Sequence, residues 1–129
     1  MNHHTQSIRA FIGARNFEES RFFYRDLGFE EFIISPNMSY FQVGEKLGFY
    51  LQDYYVKDWI ENLMVFLEVA DVEQHWQAVL ALGLPNKYPT VKLLPIVTND
   101  WGREYFLHDP SGVLWHFGEF YEVSAKKDD

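Results

Sequence analysis

The sequence predicts an α+β fold built from two βαβββ modules. The first observation is a repeat: two helical patterns, their starts, their stops and the strands before them recur 55 residues apart. The second is the alternation of apolar and polar residues in the runs that follow each helix, which is typical of strands. Three pairs of corresponding residues share the offset: Asn16 and Asp71, Leu27 and Leu82, and Phe11 and Phe66.

The first module is predicted over residues 7–53. A strand is expected over 8–14, and a helix over 17–26 begins at Asn16, since a side-chain cap followed three residues later by Glu19 forms a capping box. Gly28 in the C-cap region ends that helix. Strands then follow near 29–35, 39–43 and 47–52, with turns at Asn37 and at 44–46.

The second module is predicted over residues 63–120, after a linker at 54–62 that is rich in aromatic residues. A strand at 63–69 and a helix at 72–82 repeat the pattern of the first module. Pro85, Pro89 and Pro95 interrupt residues 84–98, which predicts an edge strand or a long loop there. We expect a single domain over 1–129, with the charged residues 126–129 frayed.

The closing segment, Trp101 to Phe117, predicts a β-hairpin. Asp-Pro-Ser-Gly at 109–112 supplies the turn, because proline fixes φ, aspartate bonds forward along the backbone and glycine tolerates a positive φ. Alternation places His116 on one face and Trp115 on the other. A histidine among large aromatics on a strand is an unusual choice for a purely structural face.

Composition excludes several classes of function. The 129 residues carry a net charge of −8 and no cysteine, so no thiolate chemistry is available and no basic face for nucleic acid is visible. No apolar run reaches the length of a membrane span, and the first residues lack a signal-peptide pattern, so we expect a cytoplasmic protein without membrane partners. The acidity serves solubility or favours a cationic ligand.

The repeat and the closing hairpin together resemble the vicinal oxygen chelate superfamily, which includes glyoxalase I, extradiol dioxygenases and bleomycin-resistance proteins. Ser20–Phe29 is similar to the superfamily's first helix and its Leu-Gly-Phe stop, and Trp101–Phe117 is closest to the bleomycin-resistance branch. The resemblance spans residues 7–119. It implies two modules that curl around a shared cleft, usually in a homodimer.

The resemblance also locates the positions at which the superfamily's metalloenzymes bind a divalent ion. They correspond here to Arg9, to Met64, to His116 and to a position near Tyr50 or Gln52. Arginine cannot ligate a metal, and a thioether is unsuited to hard or borderline ions. One imidazole among four positions predicts that the metal centre is absent, and we expect no cofactor.

The bleomycin-resistance branch implies a metal-free protein that sequesters a flat, possibly cationic ligand, either a bleomycin-like drug or an unknown metabolite. Trp101 matches the branch's stacking tryptophan, Gly112 matches a backbone position close to the ligand, and an indole suits heteroaromatic rings and cations. No catalytic residue is assigned. The candidate ligand-binding residues are Trp101, Gly112, His116, Arg9, Glu104 and Phe41.

Other interpretations of these residues stay open. Trp101 could cover the core, Phe41 could pack inside it, and Glu104 could pair with Arg103 or Arg9. A metal-independent enzyme could use His116 as a general base with Arg9 stabilising an oxyanion, although no second titratable group is obviously paired with His116. A superfamily enzyme with a non-standard site and a metabolite sensor are further alternatives.

Overall fold

A computed structural model describes residues 1–122 of the chain. The predicted fraying of residues 126–129 lies outside these described residues. The elements, in chain order, are β1 (Ala10–Gly13), α1 (Phe17–Asp26), β2 (Glu30–Ser35), β3 (Met38–Gly44), β4 (Leu47–Gln52), α2 (Lys57–Ile60), β5 (Met64–Glu68), α3 (Val72–Ala81), α4 (Leu84–Lys87), β6 (Lys92–Thr98), β7 (Gly102–His108) and β8 (Leu114–Phe120).

The strands form two four-stranded mixed sheets with the same internal order. The first sheet runs β1-β4-β3-β2 and the second runs β5-β8-β7-β6. In each, the first strand of the module pairs in parallel with the last, and the other pairs are antiparallel. The predicted α+β fold with two repeated βαβββ modules is therefore confirmed.

The predicted helix starts are present at both capping residues. The Asn16 side chain accepts a hydrogen bond from the Glu19 amide at 3.1 Å, and Asp71 accepts one from the Gln74 amide at 3.0 Å. Each cap satisfies an amide that would otherwise lack a partner in the first helical turn. The repeated sequence signal thus corresponds to repeated local structure.

Three segments differ in detail from the sequence prediction. β1 begins at Ala10 rather than at residue 8, and the linker contains the short helix α2. The proline-rich stretch folds into α4 and then β6, which is an edge strand as expected. Pro95 lies within the register shift between Leu94 and Val97, where a missing amide proton does not break a regular ladder.

One face of each sheet packs against its helix and builds the core. Tyr24 of α1 contacts Phe41 and Phe49 of the first sheet, with ring centroids 5.6 and 5.0 Å away. In the second sheet, Tyr105 stacks on Phe117 at 5.1 Å and meets Trp76 of α3 edge to face. The opposite faces carry exposed aromatic and aliphatic side chains.

The turn at residues 109–112 ties the second module to the first. Asp109 is 1% exposed, and its Oδ1 accepts hydrogen bonds of 2.9 Å from the amides of Ser111, Gly112 and Val113. Its Oδ2 accepts a 2.6 Å hydrogen bond from the hydroxyl of Tyr24, which in turn accepts one from Nε1 of Trp115 at 2.9 Å. Burial raises the pKa of Asp109 to about 6, against the opposing effect of these hydrogen bonds. The contact fixes α1 against the closing hairpin.

No helix within residues 1–122 has both the length and the apolar character needed to cross a membrane.

Candidate functional site

The second sheet presents an aromatic surface on the side away from α3. We call it the second open face and define it by Phe66, Trp101, Phe106, His116 and Phe120. Phe66, Trp101 and Phe120 pack together, with centroid distances between 5.1 and 5.7 Å. Phe106 meets the His116 ring edge to face at 5.0 Å. Large rings with partial exposure, held on rigid strands, suit contact with a flat molecule.

Gly118 makes room for this cluster. A Cβ at position 118 would lie 2.5 Å from the end of the Phe66 ring and 3.4 Å from the Trp101 ring. The absence of a side chain lets both rings settle over the β8 backbone. Trp101 is consequently 36% exposed, partly packed and partly open to solvent.

A hydrogen-bonded pair of titratable side chains lies within the second open face. The Nδ1 atom of His116 is 2.9 Å from Oε1 of Glu104, and Oε2 of Glu104 accepts a 2.9 Å hydrogen bond from Nδ2 of Asn99. The Glu104 side chain is 12% exposed and the His116 side chain 21%. A nearly buried carboxylate therefore holds the imidazole at the surface of the aromatic cluster.

The first sheet has a corresponding first open face, defined by Arg9, Phe11, Phe32, Tyr40 and Tyr50. The guanidinium of Arg9 lies 4.3 Å from the centroid of the Tyr40 ring and donates a 2.9 Å hydrogen bond to the Tyr50 hydroxyl. That hydrogen bond raises the pKa of Arg9. Phe11 stacks on Tyr50 at 4.9 Å. This face is also aromatic, with a cation as its polar group.

The two open faces are built on the same strand register. Phe11 lies beside Tyr50 in the first sheet as Phe66 lies beside His116 in the second. Tyr40 likewise faces Tyr50 as Phe106 faces His116. The repeated modules thus keep an aromatic frame and differ in the polar group at its centre.

The structure brings together three of the six candidate residues, namely Trp101, Glu104 and His116. It corrects two of the pairings considered for Glu104, since Arg9 bonds to Tyr50 and Arg103 lies 3.8 Å from Glu119. The expectation that His116 has no titratable partner is also wrong, because Glu104 is hydrogen-bonded to it.

Two further candidates lie away from the open faces. Phe41 is fully buried and stacks on Phe49, so it lies in the core and its neighbour Tyr40 lies on the first open face instead. Gly112 has a φ of 105° in the Asp109 turn, at the opposite end of the β7–β8 hairpin from Trp101. A side chain there would approach Glu61, not the second open face. Neither residue lies on an open face of this chain.

Sequence reasoning missed Phe66, Phe106 and Phe120 as members of the site. Their signal is present, because residues at even spacing along paired strands share a face. Alternation from Glu104 on β7 and His116 on β8 leads to Phe106 and Phe120, and the pairing of β5 with β8 adds Phe66, which lies opposite His116.

The residues at the superfamily's metal positions do not fit a divalent ion. Arg9 is a hydrogen-bond donor with no lone pair, and Met64 offers only a thioether. His116 already shares its Nδ1 with Glu104. Within residues 1–122, no group of three His, Asp or Glu side chains comes together in a way that could hold a metal.

A cavity of about 290 Å³ lies between the two sheets, near the edge strands β1 and β5, and Phe66 of the second open face is part of its lining. Its lining consists of apolar side chains and the backbone of Gly48, among them Ile12, Phe49, Leu67 and Trp115. None of these side chains could orient a polar ligand.

Solved structures with the same fold are numerous, whereas no family profile and no curated protein sequence matches this chain. A bleomycin-binding protein from Streptomyces verticillus, complexed with copper(II)-bleomycin, aligns with a TM-score of 0.75 at 16% identity over 91% of this chain and 98% of its own. A glyoxalase/bleomycin resistance protein from Catenulispora acidiphila aligns at 0.73 with 21% identity, covering 91% and 100%. A bleomycin resistance determinant encoded on transposon Tn5 aligns at 0.70 with 20% identity, covering 92% and 100%. The chain therefore has the fold of the vicinal oxygen chelate superfamily, in its bleomycin-resistance-like form.

Proposed function

We propose that this protein binds a flat aromatic small molecule, without a metal ion, on its aromatic open faces. The observation that carries the proposal is the second open face itself, where exposed rings surround a hydrogen-bonded imidazole. Stacking supplies affinity over the ring area, and the polar group fixes orientation. Similarity in fold to bleomycin-binding proteins makes a bleomycin-like drug the first ligand to test, and an unknown metabolite the alternative.

We further propose that two copies of the chain complete the cleft. Both open faces expose large apolar side chains, including Phe11 and Phe32 on the first and Phe66 and Phe120 on the second. Monomeric proteins rarely leave such surfaces uncovered. In a two-fold dimer, the first open face of one protomer could cover the second open face of its partner, giving two equivalent clefts.

Two features of the protein indicate the charge of the ligand, one acting at long range and one at short range. The net charge of −8 favours the approach of a cationic molecule. Arg9, at short range on the first open face, is matched to an acceptor group on the same molecule, such as a carbonyl or carboxylate. A drug with several functional groups could satisfy both.

Titration with bleomycin tests the proposal. We expect a change in tryptophan fluorescence and a thermal shift that saturate together, and we expect Trp101→Ala to remove both while the protein stays folded. Trp76→Phe, which alters a tryptophan on α3 outside the open faces, serves as the control and should bind like the wild type. No response at saturating drug would exclude bleomycin as the ligand, and unfolding of Trp101→Ala would assign Trp101 to the core.

A second candidate function is a metal-independent enzyme with His116 as a general base. The Glu104–His116 hydrogen bond favours it, since a carboxylate partner stabilises the imidazolium that forms on proton transfer. Hydrogen–deuterium exchange of bound ligand C–H groups, detected by mass spectrometry and absent in His116→Phe, would distinguish this function from binding alone.

A further inference from the structure

The three side chains Asn99, Glu104 and His116 form a directed chain of hydrogen bonds that ends at the second open face. Asn99 donates to one oxygen of Glu104, and the other oxygen is bonded to Nδ1 of His116, each at 2.9 Å. Both carboxylate oxygens are thus engaged, and the side chain is nearly buried. The carboxylate has little freedom to reorient.

This arrangement determines which nitrogen of His116 carries the proton. An ionised carboxylate only accepts hydrogen bonds, so Nδ1 must be the protonated nitrogen. In the neutral ring, Nε2 then presents a lone pair. Within residues 1–122 no group is hydrogen-bonded to Nε2, and the ring lies between Phe66 and Phe106. The second open face therefore offers one oriented hydrogen-bond acceptor in apolar surroundings.

The charge next to the His116 imidazole is negative. Glu104 lies directly behind the imidazole, while Arg103 and Glu119 pair with each other on the opposite face of the sheet, where Glu119 also accepts from the Val72 amide. The same position in the first sheet holds Tyr50, which accepts a hydrogen bond from a cation. The repeat has thus placed a carboxylate-backed acceptor in one module and a guanidinium in the other.

From this geometry, and resting on the proposed function, we infer that the second open face selects a planar heteroaromatic cation that donates an N–H hydrogen bond to Nε2 of His116. The ligand's N–H⁺, the imidazole and the Glu104 carboxylate would then form one continuous chain of charge-assisted hydrogen bonds. The packed rings of Phe66 and Trp101 would contact one face of the cation. His116 is the specificity-determining residue and Glu104 its positioning residue.

Three flat tricyclic probes test the inference by fluorescence titration. 9-Aminoacridine is a planar cation with N–H donors, 10-methylacridinium is a planar cation without them, and anthracene-9-carboxylate is a planar anion. The wild type should bind 9-aminoacridine about tenfold more tightly than 10-methylacridinium, the difference that one hydrogen bond to a charged group makes. His116→Phe should abolish that ratio and leave the affinity for 10-methylacridinium within about twofold.

Glu104→Gln provides a second variant, because it keeps the size of the side chain and one accepting oxygen, and removes the charge behind His116. It should also reduce the ratio, even if His116→Phe proves unstable. Equal binding of the two cations by the wild type, or a ratio that persists in Glu104→Gln and His116→Phe, would overturn the inference and leave the aromatic site intact. Tightest binding of the anion would overturn it too, since His116 would then act as a donor. Failure of all three probes to bind would instead refute the proposed function.

Discussion

Removal of one hydroxyl group at Tyr24 should destabilise the protein far more than an ordinary Tyr→Phe change. That hydroxyl donates to the buried Asp109 and accepts from Nε1 of the buried Trp115. Tyr24→Phe leaves Oδ2 of Asp109 and Nε1 of Trp115 without a hydrogen-bond partner in the core. Each buried unsatisfied group costs about 1–3 kcal/mol, so the free energy of unfolding should fall by about 2–6 kcal/mol. For a domain of this size, the melting temperature should fall by roughly 10 °C.

Urea denaturation, followed by circular dichroism at a fixed protein concentration, measures the effect. Tyr88→Phe is the matched control. The Tyr88 hydroxyl donates to Asp26, whose side chain is 33% exposed and also pairs with Lys87, so water and lysine can replace the lost bond. The control should lose less than about 1 kcal/mol. Equal losses in Tyr24→Phe and Tyr88→Phe would refute the view that the Asp109 turn joins the two modules.

Three other predictions address the same structure. Burial raises the pKa of Asp109 from 3.8 to about 6, so the native state binds a proton at this carboxyl more tightly than the unfolded state does. The contribution of Asp109 to the free energy of unfolding is therefore greatest at low pH and is lost as the pH rises from about 4 to about 6. The loss is on the order of 2–3 kcal/mol. Urea titrations of the wild type and of Asp109→Asn across this pH range should reveal it as a difference in the free energy of unfolding. An identical pH profile for the two proteins would contradict the raised pKa of Asp109. Gly118→Ala should displace the Phe66 ring and weaken binding of 9-aminoacridine about three- to tenfold, with little change in the free energy of unfolding. Unchanged affinity would show that the Phe66 ring does not contact the ligand. Phe32→Glu on the first open face should raise the dissociation constant of the proposed dimer at least tenfold in sedimentation experiments. Ile33→Glu, one residue along β2 on the other face, should not raise it. Equal effects of the two substitutions would argue against a dimer formed through the open faces.

The repeated architecture could be predicted from sequence because its signals are local. Asn16 and Asp71 cap their own helices through amides three residues away, and glycines follow both helix ends. The turn at 109–112 is local too, since Asp109 bonds the amides of the next few residues. Such contacts depend on sequence spacing and little else.

The Glu104–His116 pair could not be predicted in the same way, because it depends on the register between β7 and β8. Glu104 lies opposite Gly118 and reaches diagonally to His116, which itself lies opposite Phe106. A register shift by one residue would place His116 on the other face. The same sensitivity explains Phe41, since one position decides whether Tyr40 or Phe41 enters the core.

The aromatic residues of the linker illustrate a tertiary effect. Tyr54 and Trp59 contact each other at 6.0 Å, and Trp59 and Ile60 close over Gly13 at the end of β1. A Cβ at Gly13 would lie 2.4 Å from the Tyr54 carbonyl. Nothing in the spacing of the linker residues indicates where the linker meets the sheet, because that contact depends on tertiary packing.

Native mass spectrometry of the purified protein with bleomycin tests the central claim most directly, because a single spectrum reports oligomeric state, ligand and metal. The account predicts a dimer that binds two drug molecules, retains them after treatment with a chelator, and loses them in Trp101→Ala. A monomer without drug, or a complex that holds stoichiometric zinc, manganese or iron and releases its ligand when the metal is removed, would contradict it.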